Sequence, residues 1–244
     1  MADHADARLA AELGAAIAAG RGVPLGSGYQ ASVRLYETSA GAIVVKQPHG
    51  GGPLAGLWRA LLRREQAVYS RLRGIAGIPR SFGLVGGECL ALEYIPGPSL
   101  REHEPHVANR EAFFAKLRET VDAMHAAGVA HGDLKRKANI VVAAGEQPYL
   151  IDFGIALRRS ATSAVWNRLV FARLVQMDRN AWVKLKYGRR IDPAAEPGVL
   201  SAEDAAIYRP LWLERAARAV RVPWQAITLR RPRQRWRARR DGKK

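Results

Sequence analysis

The sequence predicts an α+β chain in which a strand-rich N-terminal part with one helix precedes a mainly helical part. Three observations carry this expectation. Residues 23–48, "VPLGSGYQASVRLYETSAGAIVVKQP", place β-branched and aromatic residues around a Ser39-Ala40-Gly41 hairpin tip. "LAGLWRALLRREQAVYSRLRGI" and "ANREAFFAKLRETVDAMHAAG" repeat apolar residues at helical spacing, and Gly74 and Gly128 stop them. With 244 residues, 48% of them apolar and 25% charged, the chain has the length and composition to bury a core.

The elements follow in order. Residues 1–20 read as an Ala-rich helix or a frayed arm, and "HGGGPL" at 49–54 as a flexible break. No G-x-S-x-G turn accompanies that glycine run, which excludes the serine-hydrolase reading of it. Leu57, Leu61, Leu62, Val68 and Leu72 form the expected core face of the first long helix. "SFGLVGGECLALEYIPG" is a hairpin turned at Gly86-Gly87, with Cys89 buried on its second strand. A later helix, "VWNRLVFARLVQMDRNAWVKLKYG", offers Leu169, Val170, Leu174, Met177 and Trp182 as its core face. Asp178 in its middle reads better as a solvated residue than as an anchor for a loop. Residues 192–202, "DPAAEPGVLSA", look like a linker, and no internal repeat is visible.

Charge narrows the partners. Lys and Arg number 39 against 22 Asp and Glu, a net charge of +17 that points to anionic ligands. Residues 215–244 hold twelve basic residues and one acid, with Trp212, Trp224 and Trp236 at or beside them. Basic residues interleaved with indoles suit an anionic membrane surface, RNA less well, or a solvated tail. The lone Cys89 excludes an internal disulfide. Neither a signal peptide nor a run of ~20 apolar residues is found. The expected location is therefore cytoplasmic, with peripheral attachment to the inner face of the membrane as the alternative.

The chemistry concentrates in "GVAHGDLKRKANIVV" and "YLIDFGIAL". Each sets an Asp among apolar residues, where an uncompensated carboxylate is costly. Two of them close in sequence suggest a shared cation.

These motifs, taken with those upstream, resemble the protein-kinase-like superfamily, in particular the small bacterial type similar to RIO-like and lipopolysaccharide-core kinases. The resemblance runs over residues 22–157 and implies a two-lobed fold with a reduced helical C-lobe. The implied division is an N-terminal helix or arm at 1–20, an N-lobe at 21–96, a C-lobe at 97–210 and a basic tail at 211–244. Gly26-Ser27-Gly28 and Val33 match the glycine-rich loop that covers ATP phosphates, where glycines admit the backbone N–H groups. Lys46 in "IVVK" matches the lysine that holds the α and β phosphates, and Glu65 its helical partner. A surface position for Glu65 is the plainer alternative. Glu93 and Ile95 complete the implied nucleotide-binding set. Asp133 would accept or orient the acceptor's hydroxyl proton, and Lys135 would touch the transferred phosphoryl group. Asn139 and Asp152 would hold Mg2+, whose preference is for hard oxygen ligands. His131 reads as a brace for the loop.

Departures from the pattern matter too. Gly132 stands where an arginine reads a phosphorylated activation loop, so activity should not depend on such phosphorylation. Asp133 and Asn139 are six residues apart where the pattern has five, so the loop bulges or Asn139 places metal differently. Only ten residues separate Gly154 from Val165, and no A-P-E sequence follows, which leaves little platform for an extended peptide. The expected function is transfer of the γ-phosphoryl of ATP to a hydroxyl of a protein Ser or Thr or of a glycolipid sugar. The alternative is a kinase-shaped scaffold that binds RNA or anionic membrane through its basic tail.

Overall fold

The structure is a computed structural model that describes residues 2–27, 31–48, 55–159, 165–188 and 198–209. It forms two compact units, Met1–Asp192 and Pro193–Lys244. In the second, the described part is a short helix capped by Ser201, whose side chain accepts from the Asp204 N–H. The expected tail at 211–244 lies outside the described residues.

The first unit begins with α1 (Ala2–Ala18), followed by β1 (Val23–Ser27), β2 (Ala31–Thr38), β3 (Gly41–Pro48) and α2 (Ala55–Arg71). Then come β4 (Ser81–Val85) and β5 (Cys89–Glu93), which complete an antiparallel sheet of order β1-β2-β3-β5-β4. Period-two alternation sorts β3 into two faces. Ile43 and Val45 point to one side, where Leu9, Leu13 and Ala16 of α1 cover them with Tyr36, Val85 and Ala91. The N-terminal segment is thus a packed helix. Val44 and Lys46 fall on the other face, toward α2. Val33 and Lys46 are register partners, so the hairpin sets the spacing between the glycine-rich strand and the lysine.

The remaining elements of this unit are α3 (Leu100–His103), α4 (Arg110–Ala126), β6 (Val129–Ala130), β7 (Ile140–Ala143), β8 (Gln147–Leu150), β9 (Leu157–Arg158) and α5 (Val165–Lys186). Asn109 caps α4 by accepting from the Ala112 N–H, and the buried face of α4 is Phe113, Phe114, Leu117, Val121 and Met124. The antiparallel pairs β6–β9 and β7–β8 bracket the two Asp motifs. Among the described residues no helix is long and apolar enough to cross a membrane.

Three expected core placements are corrected. Leu57 is exposed in the first turn of α2, and burial begins at Leu62. Cys89 is only half-buried, on the β5 end of the hairpin. On α5 the stripe of Leu169, Val170 and Met177 faces outward. The buried side is instead Phe171, Asp178, Ala181, Trp182 and Val183. Polar satisfaction fixes that rotation: Asp178 must reach the loop after β6, and the Trp182 indole donates to the Phe114 carbonyl at 2.8 Å.

Candidate active site

Lys46 lies between two carboxylates that come from distant parts of the chain. Its Nζ is 2.6 Å from Glu65 Oε1 on α2 and 3.0 Å from Asp152 Oδ1 after β8. Glu65 is buried, at 2% exposure, which overturns the surface reading. Burial, the largest influence on each of these groups, disfavours its charge. For Lys46 the two carboxylates outweigh it and hold the ammonium above its usual range. Asp152 is held below the carboxylate range, because the pull of Lys46 overcomes the burial. Glu65 stays above it, since burial there exceeds the attraction of Lys46.

Local geometry prepares Asp152. Its φ of +66° lies in the left-handed region, which costs a side-chain-bearing residue of order 1 kcal/mol and which Asp tolerates better than most. Phe153 locks it there. Its ring stands edge-on to Tyr69 of α2 at 5.0 Å and against His131 at 4.9 Å, so three buried rings join α2 to the loop after β6. Arg64 adds a second tie by donating to the Ala156 carbonyl at 2.5 Å.

The loop after β6 is held from below by α5. Asp178, 1% exposed, accepts from the His131 N–H at 2.7 Å, the Gly132 N–H at 2.9 Å and the His125 ring at 3.1 Å. Asp178 is therefore an anchor, and the solvated reading is corrected. Gly132 has φ +79°, a backbone conformation that a side chain would strain. His131 braces the loop as expected. Its Nδ1 accepts from the Asp133 N–H at 3.3 Å, which leaves Nε2 to donate to the Ile151 carbonyl at 3.2 Å. Asp133 itself lies 3.6 Å from Arg136 Nη1.

The longer interval to Asn139 is taken up by two successive tight turns. The Arg136 N–H donates to the Asp133 carbonyl at 3.1 Å, and the Asn139 N–H to the Arg136 carbonyl at 2.8 Å. Asn139 ends up buried, its Nδ2 donating to the Asp133 carbonyl at 3.2 Å. The Ile151 N–H donates to the Asn139 carbonyl at 2.9 Å, tying this loop to the segment that carries Asp152. Within this loop, Lys135 is exposed.

The described members of the expected nucleotide set lie on the sheet or just after it. Val33 pairs with Lys46 across the hairpin, and Gly26 and Ser27 lie on β1. Gly28 lies outside the described residues. Glu93 ends β5 with its backbone and carboxylate both bonded to the Arg80 backbone, and Ile95 is buried just beyond.

Among the described residues no cluster of three His, Cys, Asp or Glu could hold a metal alone. The donor set present is nonetheless of the right kind for Mg2+, with one half-exposed carboxylate and one amide carbonyl oxygen to be completed by phosphates and water. The residues that the sequence underrated are Asp178, Tyr69 and Arg64. The only signal for Asp178 was its isolation as the single acid on its helix. Tyr69 and Arg64 carried no signal, because their partners are remote in sequence.

Comparison with known proteins finds kinase matches over parts of the chain. Residues 98–189 match the model of the lipopolysaccharide kinase (Kdo/WaaP) family. Serine/threonine-protein kinase PknD of Mycobacterium tuberculosis is 35% identical over 107 residues, 41% of this chain and 16% of that protein. PknE of the same organism is 31% identical over 144 residues, 56% of this chain and 25% of the relative. The probable serine/threonine-protein kinase PkwA of Thermomonospora curvata is 46% identical over 72 residues, 28% of this chain and 9% of the relative. The chain thus spans about a quarter or less of the length of these curated relatives.

Proposed function

We propose that this chain, a member of the protein-kinase-like superfamily, moves the γ-phosphoryl group of ATP to a hydroxyl acceptor. The observation that carries the reading is the position of Lys46, bonded at once to side chains 19 and 106 residues away. Such an arrangement fixes one cation beside Asp152, where it would meet the α and β phosphates. Gly26, Ser27, Gly28 and Val33 would cover the triphosphate, and the backbone of Glu93 and Ile95 would meet the base.

In the reaction the acceptor oxygen forms a bond to the γ-phosphorus as the bond to the β-bridging oxygen breaks. The hydroxyl proton passes to Asp133, and ADP leaves. Lys135 would meet charge building on the phosphoryl oxygens. Asp152 and Asn139 would hold Mg2+, which supplies neutralisation of the β and γ phosphates when bound. Everything else the chain contributes is position: Asp178 and His131 hold Asp133, and Phe153 holds Asp152.

Of the two acceptors, a glycolipid sugar is preferred. The segment between Gly154 and Val165 is too short for an extended-peptide platform, and the family matched over 98–189 is one of lipopolysaccharide kinases. A protein Ser or Thr is the second reading, favoured by the names of the curated relatives. The full set of Lys46, Glu65, Asp133 and Asp152 supports an enzyme over a kinase-shaped scaffold. The test is ATP turnover with labelled ATP, partitioning products into protein and lipid phases. Asp152→Ala should abolish turnover with Mg2+, and retained activity would remove the metal assignment.

A further inference from the structure

The outward face of α5 is apolar and purely cationic. Leu169, Val170 and Met177 are 53%, 47% and 37% exposed, and Ile155, just after the Asp152 motif, is 55% exposed. The patch reaches the proposed catalytic loop. A Cβ placed on Gly132 would sit 3.7 Å from Ile155 Cδ1 and 3.8 Å from Leu174 Cδ2, one residue before Asp133. Arg168, Arg173 and Arg179 are exposed on the same helix, whose one acid, Asp178, is turned inward and buried. No exposed carboxylate therefore interrupts this face of α5. Exposed apolar side chains flanked by arginines complement a surface that is hydrocarbon beneath and anionic above.

We propose that this face of α5, with Ile155, docks on an anionic lipid surface and so presents a membrane-embedded acceptor to Asp133. The proposal deepens the glycolipid reading and rests on it for the role of Asp133. The contact itself rests on α5 and Ile155. Arginines meet lipid phosphates while Val170, Leu174 and Met177 enter the headgroup boundary.

The test uses the full chain with Cys89→Ala and Met177→Cys, labelled with a polarity-sensitive fluorophore. Vesicles of phosphatidylglycerol in phosphatidylcholine should shift its emission to the blue, and phosphatidylcholine alone should not. Val170→Glu should weaken binding to the anionic vesicles at least fivefold and leave vesicle-free ATP hydrolysis unchanged. Sedimentation with vesicles but no shift at position 177 would overturn the proposal, because other segments would then make the contact. A shift on adding a protein substrate, with none on vesicles, would overturn it in favour of a protein partner. Absence of ATP hydrolysis in solution would instead count against the phosphotransferase reading, since the fluorophore reports the surface independently.

Discussion

Glu65 and Asp152 share Lys46 but respond to acid in opposite senses. Glu65 is held above its ordinary 4.5 by burial, so the folded state takes up its proton earlier than a free carboxylate would. Stability from this group falls as pH rises from 4.5 through the folded value and is level thereafter. Asp152 is held below 3.8, so its contribution is complete above 3.8 and is lost as pH falls through its folded value. Lys46, raised above 10.5, keeps its charge throughout the neutral and mildly alkaline range. The acid limb of a pH–rate profile for ATP turnover should therefore lie above 4.5 and disappear in Glu65→Gln, on a lower plateau. An unchanged limb in that variant would assign it to another group. Asp178 acts through others as a positioning residue. Asp178→Asn, which keeps one acceptor oxygen, should lower kcat by roughly 10²-fold, as expected for a loop displaced by about 1 Å. KM for ATP should hold within about twofold, because Lys46 and its partners are untouched. Equal losses in both constants would mean general loosening of the fold. The replacement by Ala leaves the His131 and Gly132 N–H groups without acceptors and should cost about 1–3 kcal/mol for each.

At the scale of elements, α1 and α2 clamp the sheet from its two sides, and only α2 bears on chemistry. Leu13, Ile43 and Val45 are fully buried where α1 meets β3. Leu13→Ala should destabilise the fold by about 2–5 kcal/mol in denaturant titration without changing KM for ATP. A shift in KM would show that α1 also sets the position of Lys46. The Glu12 carboxylate accepts from the Ser39 N–H at 3.0 Å and its hydroxyl at 2.7 Å, pinning α1 to the β2–β3 turn. α2 was legible as a helix from its spacing, and its buried Leu62 and Val68, with Leu72 just beyond its end, agree with that pattern. α5 shows where periodicity fails. Its apolar stripe and its buried stripe differ, because a buried carboxylate and an indole N–H with fixed partners outweigh a few exposed methyl groups.

Over the first unit as a whole, the chain passes from sheet to helices through a crowded glycine. Gly97 has φ +149°, and a Cβ there would lie 2.1 Å from the Val142 carbonyl oxygen of β7. The neighbouring Pro98 carbonyl accepts from the Val142 N–H at 2.9 Å, so β7 cannot retreat without losing that bond. Gly97→Ala should lower stability by about 2–4 kcal/mol, read as a drop in the urea midpoint. An unaltered midpoint would show that this junction yields. Ligand should act on the same whole. ATP with Mg2+ at ~100 times its Kd should stabilise the folded state by ~2.7 kcal/mol in thermal unfolding. No shift would favour the scaffold reading.

Sequence alone determined the order of elements, the hairpin that opposes Val33 to Lys46, and the identity of the groups that carry charge in the site. Those features depend on local period and on residue chemistry, both of which a linear chain displays. Tertiary structure decided that Glu65 is buried, that Asp178 grips the loop bearing Asp133, that Tyr69 and His131 sandwich Phe153, and which side of α5 meets the core. Each is a pairing across tens of residues, and its energy exists only once both partners leave water together.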